Sequence, residues 1–154
     1  MDRRRFIAAG ASSIAVAAAG RALAQGTSEG AGMAMKPTPA AMANAQNREL
    51  ADTAAACLKT GDICQQHCLE LLSQGDKSMG KCAMTIAAML PMCRALEAFA
   101  IQGSPHLAEL ARTCGKVCRD CEAACKVHAG HHEACKNCME SCTRCAAACE
   151  KYSA

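Results

Sequence analysis

The sequence predicts an all-α protein, an antiparallel up-down-up-down four-helix bundle with a cysteine-lined core, and three observations lead there. First, helix-favouring Ala, Leu, Met, Lys and Glu dominate, while Trp is absent, Tyr152 is the one tyrosine and Phe99 the one phenylalanine beyond the N-terminal segment. Second, fourteen cysteines recur at spacings of three and four. In CKNCMESCTRCAAACE, Cys135, Cys138, Cys142, Cys145 and Cys149 fall on one stripe of a helix, because residues three and four apart share a face. Third, the stripe-bearing segments are separated by short Gly-Asp, Gly-Ser-Pro and Ala-Gly-His breaks, which make sequential helices antiparallel neighbours. At 154 residues the chain has the length of one domain.

The first segment, residues 1–24, reads as an address rather than as part of the fold. Arg3 and Arg4 precede Phe6, a weakly apolar stretch runs from Ile7 to Ala19, and Ala22-Leu23-Ala24 supplies a cleavage pattern. This is the layout of a twin-arginine signal peptide, and the apolar stretch is too short and too rich in small residues for an anchor. Export by that route, to a bacterial periplasm, is the expected localisation. Cleavage removes four arginines and one aspartate from the 17 basic and 14 acidic side chains, leaving thirteen of each. The mature chain therefore has no formal net charge, and no basic patch with interleaved aromatics points to nucleic acid or a lipid surface. Residues 25–43, rich in Gly, Ala, Pro and Thr and punctuated by Met33, Met35 and Met42, are expected to form a flexible leader. Residues 44–154 are the expected bundle domain.

Each helix is justified by its stripe. The first, about Asn44 to Ser73, carries Leu50, Ala54, Cys57, Gly61, Cys64, Cys68 and Leu71. The second, about Lys77 to Ile101, carries Met79, Cys82, Ile86, Met89, Cys93, Leu96 and Ala100, with Pro91 expected to bend it. Pro105 is placed to open the third, whose stripe is Leu107, Ala111, Cys114, Cys118, Cys121, Cys125 and His128. The fourth runs from about His132 to Tyr152. Packed antiparallel, the stripes give the bundle an aliphatic end of Leu50, Leu96, Ala100 and Leu107, and an opposite end that gathers His67, Met79, His128, His131 and His132. A metal would enter at the second end. His128 lies on the stripe itself, whereas Met84, Met89, Met92 and Met139 read as core filler.

The thiols admit several readings. As inert packing they leave little apolar volume along the axis, and in an exported protein they invite oxidation. As disulfides they suit an oxidising compartment and an even count, but pairs such as Cys114/Cys118 and Cys145/Cys149 lie four apart on single helices, with parallel side chains and Cα atoms about 6 Å apart. Zinc favours knuckles in loops, and an iron-sulfur cluster favours a different spacing ending in proline. Cu(I) is soft, is content with two or three thiolates, and matches a column of paired cysteines, so this stripe pattern favours multiple Cu(I) ions. Disulfide-stapled structural or thiol-redox roles remain alternatives. Paired carboxylates, a nucleophile with its base and a phosphate loop are missing from the motifs, so a non-enzymatic role is expected.

Three stretches, HCLELL from His67 to Leu72, SMGKC from Ser78 to Cys82 and the C-terminal CKNCMESCTRCAAACE, resemble those of the copper storage proteins, four-helix bundles whose cysteine-lined cores hold many Cu(I) ions. The resemblance runs from about Asn44 to Tyr152, and the twin-arginine signal is similar to that of the exported branch. It implies that Cys57, Cys64, Cys68, Cys82, Cys93, Cys114, Cys118, Cys121, Cys125, Cys135, Cys138, Cys142, Cys145 and Cys149 are ligands, with His67 and Met79 near the open end. Exported relatives enrich that mouth in Met, whereas Leu71 and Gln74 stand here. The expected function is Cu(I) storage after export. A copper chaperone or detoxifying sponge would use the same ligands. Copper ions are the expected partners, without nucleic acid or stable membrane association once the signal is removed. Relatives assemble into oligomers, which the sequence accommodates without demanding, and it names no copper donor or acceptor protein.

Overall fold

The computed structural model describes residues 39–154, with side chains from Asn44 onward. The signal segment and the leader through residue 38, with Met33 and Met35, lie outside the described residues, as does the Met42 side chain. Four α-helices and one short 3₁₀ turn, and no strand, make up the described residues: α1 Pro39–Ser73, the 3₁₀ turn Lys77–Met79, α2 Gly80–Gln102, α3 Leu107–Lys126 and α4 Glu133–Ser153. Each helix packs on its neighbours in sequence and α4 closes back on α1, which makes an up-down-up-down antiparallel bundle.

α1 starts at Pro39, ahead of the expected Asn44. The reason is local: Pro39 has its φ pre-set for a first helical position, and the following AAMANA contains no breaker. Glycines in the left-handed region end α1 and α2. Gly75 (φ 96°) lets its own N–H and that of Asp76 donate to the carbonyls of Leu72 and Leu71, both at 3.0 Å. Gly103 (φ 62°) does the same after α2, with Ser104 N–H donating to Phe99 O at 3.0 Å. Pro105 lies in the turn before α3, two residues earlier than a helix-opening position, and His106 holds the N-cap position without a side-chain capping bond.

α2 runs unbroken through Pro91. The proline is exposed, as is Ala87 one turn earlier, so the lost backbone bond falls on the solvent side. By length and composition alone Lys77–Gln102 is apolar enough to cross a membrane, but in the bundle its Cys82, Ile86, Met89, Cys93 and Leu96 stripe faces the core. Met84 corrects the expectation of core filler: it points outward at 75% exposure, while Met89 is fully enclosed. The core divides as the stripes require. Leu50, Leu96, Ala100 and Leu107 are buried at one end, and every cysteine is buried along the rest of the axis. Two glycines set the closeness of the helices. A Cβ at Gly115 on α3 would come within 3.1 Å of the Cys149 Cβ on α4, and one at Gly61 on α1 within 2.7 Å of the Met89 Cε on α2. Outside, Arg119 joins Glu122 at 2.8 Å and Glu150 at 2.9 Å, and Lys151 reaches Glu49 at 2.8 Å. Exposed pairs of this kind register α3, α4 and α1 and add little to stability.

Candidate metal centre

All fourteen cysteines carry free thiols and all are buried. Among the described residues their sulfurs fall into five groups, within each of which all sulfurs lie within 4.8 Å of one another. Cys57, Cys93, Cys118 and Cys145 form one, drawn from all four helices. Cys64, Cys68, Cys82 and Cys135 form a second; Cys64, Cys125 and Cys138 a third; Cys121, Cys138 and Cys142 a fourth; Cys114, Cys145 and Cys149 a fifth. No cysteine is left over. Cys64, Cys138 and Cys145 each belong to two groups, so the second, third and fourth groups form one string and the first and fifth another. Cys118 and Cys57 of one string are among the neighbouring sulfurs that raise the Cys142 thiol of the other, so the two strings adjoin along the axis as a column.

The distances suit shared metal ions. Sγ atoms lie 3.4 Å apart for Cys82 and Cys125, 3.7 Å for Cys64 and Cys135 and for Cys93 and Cys118, and 3.9 Å for Cys121 and Cys138. A metal–thiolate bond of about 2.3 Å places two sulfurs on one trigonal ion about 4 Å apart. Small movements would thus replace each S–H···S hydrogen bond with a sulfur–metal–sulfur bridge.

Protonation is uneven along the column. Hydrogen bonds led by that of Cys118 hold the Cys57 thiol down to about 6, and those led by Cys125 hold Cys64 down to about 4. Cys82 and Cys121, both through Cys125 first, and Cys145, through Cys114 first, are lowered as well. Burial above all pushes the Cys68 thiol up. Cys93, Cys125, Cys142 and Cys149 rise because neighbouring sulfurs, Cys114, Cys121, Cys118 and Cys114 respectively in first place, hold their protons. Each of the five groups therefore contains at least one sulfur disposed to become a thiolate, the form that binds metal.

The histidines collect at one end. His67 Nε2 lies 2.9 Å from His132 Nδ1, and the His128 ring meets that of His132 edge-on with centroids 6.3 Å apart. All three are half-buried, while His131 and His106 are exposed. Met79 is buried in the 3₁₀ turn, three residues ahead of Cys82. The Asp76 carboxylate accepts from Ser78 Oγ at 2.6 Å and Ser78 N–H at 3.0 Å, which lowers it. His132, expected at this end with His67 and His128, is the residue that meets both. It stands three ahead of Cys135, as His128 stands three after Cys125, but both lie just outside the helices, His132 at the extended N-cap of α4 and His128 in the turn after α3, so the stripe of the third helix stops short of His128.

A helical bundle whose axis is a continuous column of grouped, buried thiols defines a class: thiolate metal-binding four-helix bundles. Within it, the family model of the copper storage proteins matches residues 43–154, and the chain belongs to that family. No curated protein matches the chain in sequence.

Proposed function

We propose that the protein stores Cu(I) after export through the twin-arginine route, holding many ions on its core thiolates without performing catalysis. The observation that carries the reading is that all fourteen cysteines fall in five buried groups of three or four sulfurs, linked through the shared Cys64, Cys138 and Cys145. Every one of these residues is proposed as a ligand. Soft thiolates select Cu(I) over hard cations, and bridging lets one sulfur serve two ions. Charge supports the same reading: each buried thiol that binds loses a proton and gains a share of a cation, so extensive loading keeps the buried charge near neutral. His67, His132, His128 and Met79 form the proposed entry, where imidazole and thioether can pass an ion to the Cys64, Cys68, Cys82 and Cys135 group.

A thiol-redox role needs an exposed thiol, and both Cys57 and Cys64, although lowered in pKa, are enclosed at 0% exposure. The proposed site of action is the bacterial periplasm, supported by Arg3, Arg4 and the Ala22-Leu23-Ala24 pattern. The deciding experiment is anaerobic titration of Cu(I) into the reduced protein against a chromogenic chelator, with free thiols counted beforehand. Uptake on the order of ten ions per chain is expected. One or two ions would reduce the protein to a carrier, and few free thiols in the absence of reductant would favour disulfides.

A further inference from the structure

We propose that Met89 supplies a fifteenth sulfur to the column, its thioether joining Cys93 in binding a Cu(I) ion at mid-bundle. The inference deepens the storage reading and rests on it. Met89 sits on the inward stripe of α2 at 0% exposure, and the Cys93 thiol donates to its Sδ at 3.4 Å. That distance equals the thiol–thiol separation between Cys82 and Cys125. Cys93 is itself a member of the group that draws on all four helices, and its Sγ lies 3.7 Å from that of Cys118.

The position of the thioether follows from its neighbour. Gly61 occupies a place on the α1 stripe between Cys57 and Cys64, and a side chain there would meet the Met89 methyl within 2.7 Å. The methyl thus fills the notch left by the glycine, and the sulfur one bond back faces Cys93. A leucine would fill such a notch equally well with carbon. What methionine adds is a soft lone pair beside a thiol that must ionise.

The chemistry balances without an oxidant. In the metal-free protein the Met89 lone pair accepts the Cys93 S–H. On loading, Cys93 releases that proton to solvent, its sulfur bonds Cu(I), and the lone pair that faced the proton faces the cation instead. Copper stays in the +1 state. Because a thioether is neutral, it completes a coordination shell without adding a buried negative charge, whereas a further thiolate would need another cation to offset it.

The test is selenium K-edge X-ray absorption on selenomethionine-labelled protein loaded anaerobically with Cu(I), with copper counted in the same sample. We expect a selenium–copper shell in the wild type that Met89→Leu diminishes and Met84→Leu, on the outer face, leaves unchanged. A loaded wild-type protein with no such shell overturns the proposal, and this reading requires no variant to fold. A shell that Met89→Leu leaves intact, in a variant of native helicity and full copper content, overturns it too while leaving storage standing. Failure of the wild type to take up copper would instead remove the storage reading beneath it.

Discussion

Raising the pH of the reduced, metal-free protein should unfold it within one to two units above pH 9, while the copper-loaded protein should keep its melting temperature. The argument is one of proton linkage. An unfolded cysteine ionises near pH 9, but Cys68, Cys93, Cys125, Cys142 and Cys149 are all raised in the fold, the first chiefly by burial and the others by hydrogen bonds to neighbouring sulfurs. Above pH 9 the unfolded chain releases these protons and the folded chain retains them, so the unfolded state is favoured by about 1.4 kcal/mol per thiol for each pH unit. These five alone, with Cys114, Cys118, Cys135 and Cys138 also raised, amount to about 7 kcal/mol per unit, set against a whole-domain stability of about 5–15 kcal/mol. Cys57 and Cys64 act in the opposite sense. Their folded values of about 6 and about 4 lie below the unfolded one, so they add stability as pH rises towards 9 and contribute no further slope beyond it. The apo protein should accordingly be most stable near pH 8 to 9. In the loaded protein the thiols have already lost their protons, which removes the alkaline limb. Melting followed by far-UV circular dichroism from pH 7 to 11, under reductant and without oxygen, measures both curves, and the loaded sample controls for lysine titration. A metal-free protein with a flat melting temperature between pH 9 and 11 would refute the reasoning.

Three further expectations concern single positions. Cys145 belongs to two sulfur groups and Cys149 to one, so Cys145→Ala should lower capacity by about two Cu(I) and Cys149→Ala by about one; native mass spectrometry of loaded samples gives the counts, and equal losses would argue against sharing. Gly115→Ala places a methyl 3.1 Å from the Cys149 Cβ, an atom fixed to the α4 backbone. The overpacking cost of about 1–3 kcal/mol should outweigh the gain in helix propensity of about 1 kcal/mol, so the melting temperature falls by a few degrees, and a rise would show that α3 and α4 part freely. His132→Ala should slow copper uptake in stopped-flow transfer from a chelator and leave final capacity unchanged; a lost equivalent of copper at unchanged rate would make His132 a storage ligand instead of an entry residue.

The sequence by itself determined the class of fold and the material of the core. Cysteines three and four apart have to share a helix face, and short Gly-containing breaks force neighbours to run antiparallel, so the stripe in CKNCMESCTRCAAACE and its three counterparts were legible before any coordinates. The aliphatic end at Leu50, Leu96, Ala100 and Leu107 followed from the same register and is buried as expected. Tertiary structure decided which sulfurs meet. No group of three or four lies on one helix, and the group of Cys57, Cys93, Cys118 and Cys145 takes one residue from each of four, a combination that depends on the relative height and rotation of the helices. Those quantities are set by side-chain packing, as where the Met89 methyl enters the gap at Gly61, and a periodic pattern carries no information about them. For the same reason the approach of His132 to His67 emerged only from the fold, whereas Met84 lies two residues off the α2 stripe and its outward turn follows from periodicity alone. Helical periodicity assigns a residue to a face, but the distance between two faces is fixed by what fills the space between them.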